Sequence, residues 1–212
     1  MKFDKIIDIS MDLNEKTIVW VDDPQPKLKA LARIPEAPCN FTWLEFGAHA
    51  GTHIDAPYYL FNDKWTSDKI PFDRLIGECQ VIDLTDVDDF ITENDLKKHG
   101  IKSSRILLKT KSSFDPMETY NPKHVALSPE GAQYLIDKGV LVLGYDYQSF
   151  ERDGKTDIHR MFMSKDIVII DNLRLKDTQA KKYLLLCLPI KVIGIDAAPA
   201  RAILIDEVQD EQ

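Results

Sequence analysis

The chain has 212 residues, 44% of them hydrophobic and 29% charged. That length and balance suit one globular domain over residues 1–212 and exclude disordered, collagenous and disulfide-dense classes. A formal charge of −8, with basic residues only in short clusters such as Lys97-Lys98-His99 and Lys181-Lys182, argues against nucleic acid or an anionic membrane as partner.

Asp4 and Asp8 interrupt what would be the apolar region of a signal peptide, and Ile6–Ile9 is the first strand candidate. Val21–Cys39 carries Pro24, Pro26, Pro35 and Pro38 and reads as an extended arm or long loop, the kind of segment that supplies a lid or a subunit contact. Phe41–Ala48 is an aromatic-rich strand candidate. Further strands are expected at Cys79–Leu84, Arg105–Leu108, Val140–Gly144, Ile167–Asp171, Lys191–Ile195 and Ala202–Ile205. Several of these are continuous apolar runs, which implies burial on both sheet faces and helices covering them. Thr92 and Asp95 form a capping-box pattern for a helix that stops at Gly100, with His99 at its C-terminal end. Ser128-Pro129 starts a second helix that Gly139 ends, and a third is expected over about Thr156–Ser164. Alternating strands and helices make the class α/β. The longest apolar run, Tyr183–Ile190, is too short to span a bilayer. Cys39, Cys79 and Cys187 form no C-x-x-C pair, so a reduced cytoplasmic location is the default.

Chemistry concentrates in His49-Ala-Gly-Thr-His53-Ile-Asp55-Ala-Pro57. Gly51 and Pro57 argue against a helix, and Pro57 biases Ala56 toward extended backbone. A strand entering a tight Gly-containing turn would fold His49, His53 and Asp55 toward one point. Two imidazoles and a carboxylate suit Zn²⁺ or Mn²⁺ and leave a position for water. His159 and Asp171 flank a second buried strand, where they could complete another metal position. His124, between Pro122 and Pro129, is expected at the surface.

The run H-x-G-T-H-x-D-A-P resembles the signature of the cyclase family of metal-dependent hydrolases, which includes bacterial kynurenine formamidases and isatin hydrolases. Ile7-Asp8-Ile9-Ser10 resembles its opening strand, and Val81-Ile82-Asp83-Leu84, Gly144-Tyr-Asp146, His159-Arg160, Ile170-Asp-Asn-Leu173 and Gly194-Ile-Asp196-Ala-Ala-Pro199 are similar to its later blocks in order. The resemblance implies a compact domain with a mixed, barrel-like sheet flanked by helices, assembled as a homodimer or homotetramer. It implies metal ligation by His49, His53 and Asp55, with Asp55 bridging to a second ion held by His159 and Asp171. Two positions depart from the family pattern. Tyr59 stands where relatives carry a catalytic histidine, and Asp171 stands where they carry Glu.

The expected activity is hydrolysis of a small, aromatic amide, lactam or lactone with one or two divalent ions. Tyr59 would donate a hydrogen bond to the leaving group or oxyanion, because a phenol is a poor base at neutral pH. Trp20, Phe41, Trp43, Trp65 and Phe72 are candidates to line the pocket. The alternative is a catalytically impaired homologue that keeps the metal and binds a small ligand.

Overall fold

The computed structural model describes residues 3–207, so residues 1–2 and 208–212 of the expected 1–212 domain lie outside the described residues. In chain order the elements are β1 (Phe3–Asp8), β2 (Lys27–Ala32), β3 (Phe41–Glu45), β4 (His53–Asp55), α1 (Phe72–Leu75), β5 (Ile76–Asp83), β6 (Phe90–Ile91), α2 (Glu93–His99) and β7 (Arg105–Lys109). There follow β8 (Ala126–Leu127), α3 (Pro129–Asp137), β9 (Val142–Tyr145), α4 (Asp157–Ser164), β10 (Val168–Asp171), β11 (Lys182–Pro189) and β12 (Ala197–Glu207).

Seven strands close a ring in the order β12-β11-β5-β7-β9-β10-β4, with β4 pairing back onto β12 and β1 added along β12. The β5–β7–β9–β10 run is parallel, and the remaining pairs are antiparallel. This is the mixed, barrel-like α/β fold that the resemblance implies.

Alternation along the strands builds two cores. Ile54, Val81, Leu107, Val142, Ile170, Leu185 and Leu204, drawn from all seven strands, fill the barrel. Ile82, Ile106, Leu108, Leu143 and Ile169 point the other way and meet Leu96, Leu135 and Phe162 of the covering helices. Each such side chain contributes about 1.5–3 kcal/mol on burial, which explains the continuous apolar runs. The helix ends follow their sequence signals. Thr92 and Asp95 form a reciprocal capping box, and the Ser128 hydroxyl accepts from the Gly131 N–H at 3.1 Å.

Two strand expectations need correction, and two barrel strands, β4 and β11, are additional to those expected. β3 stops at Glu45 and pairs only with β2, in an exposed hairpin outside the barrel, because its alternate residues find no second layer. Lys191–Ile195 is not a strand. Gly194, at φ +80°, turns the chain there, and its N–H donates to the Asp68 carboxylate at 3.0 Å. The barrel strand is instead β11, inside the apolar run Tyr183–Ile190, with Tyr183, Leu185 and Cys187 turned inward. The three-residue β4 is too short to leave a periodic signal.

Candidate metal centre

The closing strand of the barrel carries the histidine–aspartate run. Gly51 has φ +66°, a left-handed conformation that favours glycine, and turns the chain just before β4. Because side chains alternate along a strand, His53 and Asp55 share one face while Ile54 enters the core. Across β10 the register sets Asp171 opposite His53 and Ile169 opposite Asp55. Asp171 therefore projects beside the first motif although 116 residues separate it from Asp55. His159 comes from α4, which covers this face, and is buried.

Potential ligand atoms of His49, His53 and Asp55 lie within 4.8 Å of one another, as do those of Asp55, His159 and Asp171. Asp55 belongs to both groups. Sequence reasoning placed all five residues in one site, and the fold brings all five together. Asp55 and Asp171 are each only 2% exposed.

Hydrogen bonds at the rear of each imidazole set its orientation. Nδ1 of His53 lies 2.9 Å from the Gly51 carbonyl, which can only accept, so this nitrogen carries the proton. Nε2 then presents a lone pair 3.2 Å from Oδ1 of Asp55. Nε2 of His49 lies 2.8 Å from Oδ2 of Asp196, leaving Nδ1 3.0 Å from the same Asp55 oxygen. His159 faces Glu151 through Nδ1. Oδ1 of Asp55 and Oδ1 of Asp171 are buried and accept no hydrogen bond. Lone pairs and carboxylate oxygens that converge in this way repel unless a proton or a metal cation stands among them. The donor set fits a divalent ion in each half.

The protein's own electrostatics agree. Burial lowers the His49 pKa, but Asp55 and Asp196 outweigh it and take it up to about 11, so the pocket favours positive charge between the two carboxylates. Burial raises the Asp55 pKa, and the neighbouring histidines more than reverse this, holding it below the usual carboxylate range. Asp171 goes the other way: burial, then the Asp55 charge, pushes it well above that range. An ion would replace these protons.

Asn172 braces the two halves. Its backbone is left-handed at φ 59°, its Nδ2 donates to the Gly51 carbonyl at 3.0 Å, and its own carbonyl accepts from the Thr52 hydroxyl at 2.7 Å. Sequence reasoning gave no role to Asn172, Thr52, Glu151 or Asp196. Their parts depend on register and helix packing, and only adjacency to Asp171 and His53 hinted at the first two.

The site opens into a cavity of about 380 Å³, also lined by Trp20, Asp23, Gln148, Ser149 and Lys155. Tyr59 lines it too, 39% exposed, with its ring 4.8 Å from that of His49. Burial, followed by the charges of Asp55 and Asp171, pushes the Tyr59 pKa up to about 12. Of the aromatic candidates, Trp20 lines the cavity. Phe41 and Trp43 lie on the exposed hairpin, Phe72 is exposed, and Trp65 packs under the Arg74 guanidinium. His124 is buried and stacks on Tyr147 at 4.4 Å, against the surface position expected, because the 121–125 turn folds beneath Arg152.

The chain is similar to known proteins over nearly its whole length. The kynurenine formamidase of Salinibacter ruber is 31% identical over 95% of this chain and 97% of its own. A structure described as a predicted metal-dependent hydrolase from Bacillus stearothermophilus is 32% identical, covers 96% of this chain and 98% of its own, and superposes with a TM-score of 0.84. An isatin hydrolase bound to thioisatinate shares the fold at a TM-score of 0.84 and 20% identity, over 95% of this chain and 92% of its own. The Cyclase family model matches residues 7–152. The chain belongs to the cyclase family.

Proposed function

We propose that this protein is a metal-dependent hydrolase that cleaves the C–N bond of a small amide or lactam, or opens a related lactone, in the manner of an arylformamidase. The observation that carries the reading is the convergence of the His49 and His53 imidazoles on the buried Oδ1 of Asp55. His49, His53 and Asp55 hold one divalent ion, zinc or manganese; Asp55, His159 and Asp171 hold a second. An ion bound there supplies Lewis acidity for the substrate carbonyl and for an attacking water.

The chain's own residues do the rest. Gly51 and Asp196 hold His53 and His49 in the tautomers that leave a lone pair forward. The cavity admits a molecule of about one or two rings, with Trp20 offering an aromatic wall. Tyr59 keeps its proton at neutral pH and donates to the leaving nitrogen or to the tetrahedral oxyanion. It does not serve as the base.

The 1–212 chain acts as one domain in the cytoplasm, assembled as a homodimer or homotetramer. The described cysteines are all free, and no described helix is long and apolar enough to cross a membrane. The β2–β3 hairpin supports assembly. It exposes Leu28, Leu31, Phe41, Trp43 and Leu44, and a two-stranded ribbon is marginally stable in water without a covering partner.

The test is turnover of formanilides, small lactams and lactones. Metal-loaded protein is expected to cleave an aryl formamide, to lose the activity on chelation and to regain it with zinc or manganese. Absence of cleavage across the panel overturns the hydrolase reading. Tyr59, in place of an imidazole, favours one second reading, a metal-containing ligand-binding homologue without turnover. Activity that is absent in wild type and switched on by Tyr59→His decides for it.

A further inference from the structure

Nδ1 of His159 meets Oε2 of Glu151, a carboxylate that is itself buried. The same carboxylate takes two backbone donors: Oε1 accepts from the Ile158 N–H at 2.9 Å and Oε2 from the His159 N–H at 2.9 Å. These are first-turn amides of α4, whose N-cap, Thr156, makes no side-chain cap. Glu151 thus caps a helix from outside its own sequence and orients a side chain of that helix. The imidazole is also stacked on Phe150, at 4.2 Å between centroids and 15° between planes, and Phe150 packs edge-on against Phe162. With stacking on its face and a carboxylate behind it, the ring can present only Nε2 toward Asp55 and Asp171.

We propose that Glu151 is a positioning residue for the second ion: by fixing the ring and tautomer of His159 it builds the Asp55–His159–Asp171 half of the centre, and the His49–His53–Asp55 half does not depend on it. The proposal rests on the reading of the site as a metal centre. It explains how a half-site with the short Asp171 carboxylate holds an ion. One ligand arrives pre-oriented, so less ordering is left to the ion. Losing such an outer-shell carboxylate typically lowers metal affinity about 10–100-fold.

Glu151→Gln is the informative change. It keeps the volume, but whichever way the amide turns its NH₂ faces a donor, the Ile158 N–H on one side or the His159 N–H and Nδ1–H on the other, so the grip that orients the ring is weakened. Zinc titration of chelator-stripped protein against a chromophoric competitor reads both sites. Wild type is expected to bind two equivalents. Glu151→Gln is expected to keep the first unchanged and to weaken the second about 10–100-fold. Wild type that binds no zinc overturns the metal-centre reading itself. Wild type that binds a single equivalent, or a variant with an unchanged second site, overturns only the role of Glu151. Equal weakening of both sites marks a merely structural residue and overturns it too. If the variant does not fold, the long-range ¹H–¹⁵N spectrum of wild-type histidines decides: protonated Nδ1 on His159 supports the proposal, and protonated Nε2 overturns it.

Discussion

Asp171 stands directly across from His53 in the antiparallel ladder between β10 and β4. One register position therefore fixes the distance between the two halves of the centre, and closing the barrel and building the site are one event. A slip of one residue in β4 would turn His53 and Asp55 into the core and Ile54 outward.

The brace beside this pair is Asn172. Asn172→Ala removes the donor to the Gly51 carbonyl and places alanine at a left-handed φ of 59°. The lost hydrogen bond and the backbone strain together are expected to cost about 2 kcal/mol in denaturant unfolding. Zinc affinity should fall at both half-sites, because the 49–53 turn and the end of β10 keep only one of their two links, the Thr52 hydroxyl to the residue 172 carbonyl. Unchanged stability would remove Asn172 from the account.

The proposed role of Tyr59 is that of a proton donor, its pKa pushed up to about 12 by burial and the Asp55 charge. Tyr59→Phe is expected to lower kcat about 10²-fold, the usual effect of deleting one oxyanion or leaving-group donor. The shape of the rate profile should not move between about pH 6 and pH 9, since the phenol stays protonated throughout. A limb that disappears in the variant would show that Tyr59 titrates in catalysis.

His124 gives an acid sensitivity away from the centre. Burial holds its pKa below the ordinary 6.5, against the opposing hydrogen bond from Nδ1–H to the Asn121 carbonyl at 2.9 Å. The unfolded chain therefore binds this proton more readily. The stability contributed by the neutral ring is complete above the unfolded pKa and is lost as pH falls through the lowered folded value. His124→Phe keeps the stack on Tyr147 but cannot titrate. Its Tm should fall less than that of wild type between about pH 7 and pH 5. Parallel curves would contradict this.

The exposed β2–β3 hairpin carries the prediction on assembly. Trp43→Glu places a charge beside the exposed Phe41 on one side of the ribbon, and light scattering should then report the 24.3 kDa monomer where wild type gives a dimer or tetramer. A mass unaffected by the change would move the interface elsewhere.

Much of the fold was legible because buried strands announce themselves as apolar runs and helices by their caps. Val142–Tyr145 and Val168–Asp171 lie close to where the pattern puts them, and Thr92–Asp95 caps as its spacing predicts. β4 was not legible, since three residues carry no period, and β11 hid in a run whose alternation is masked by outward leucines such as Leu184 and Leu186. The five candidate ligands could be found from residue type and resemblance. Glu151 and Asp196 could not, because nothing in a sequence says which carboxylate backs which imidazole. That depends on how α4 seats on the barrel and where the β11–β12 connection ends.

The most direct test of the account is elemental analysis of protein purified without chelator, beside His53→Ala prepared in the same way. Wild type should carry zinc or manganese at one to two equivalents per chain, and the variant should lose the ion of the His49–His53–Asp55 half. Wild type devoid of any divalent metal, or an unchanged metal content in His53→Ala, would contradict the claim that these residues form a metal centre.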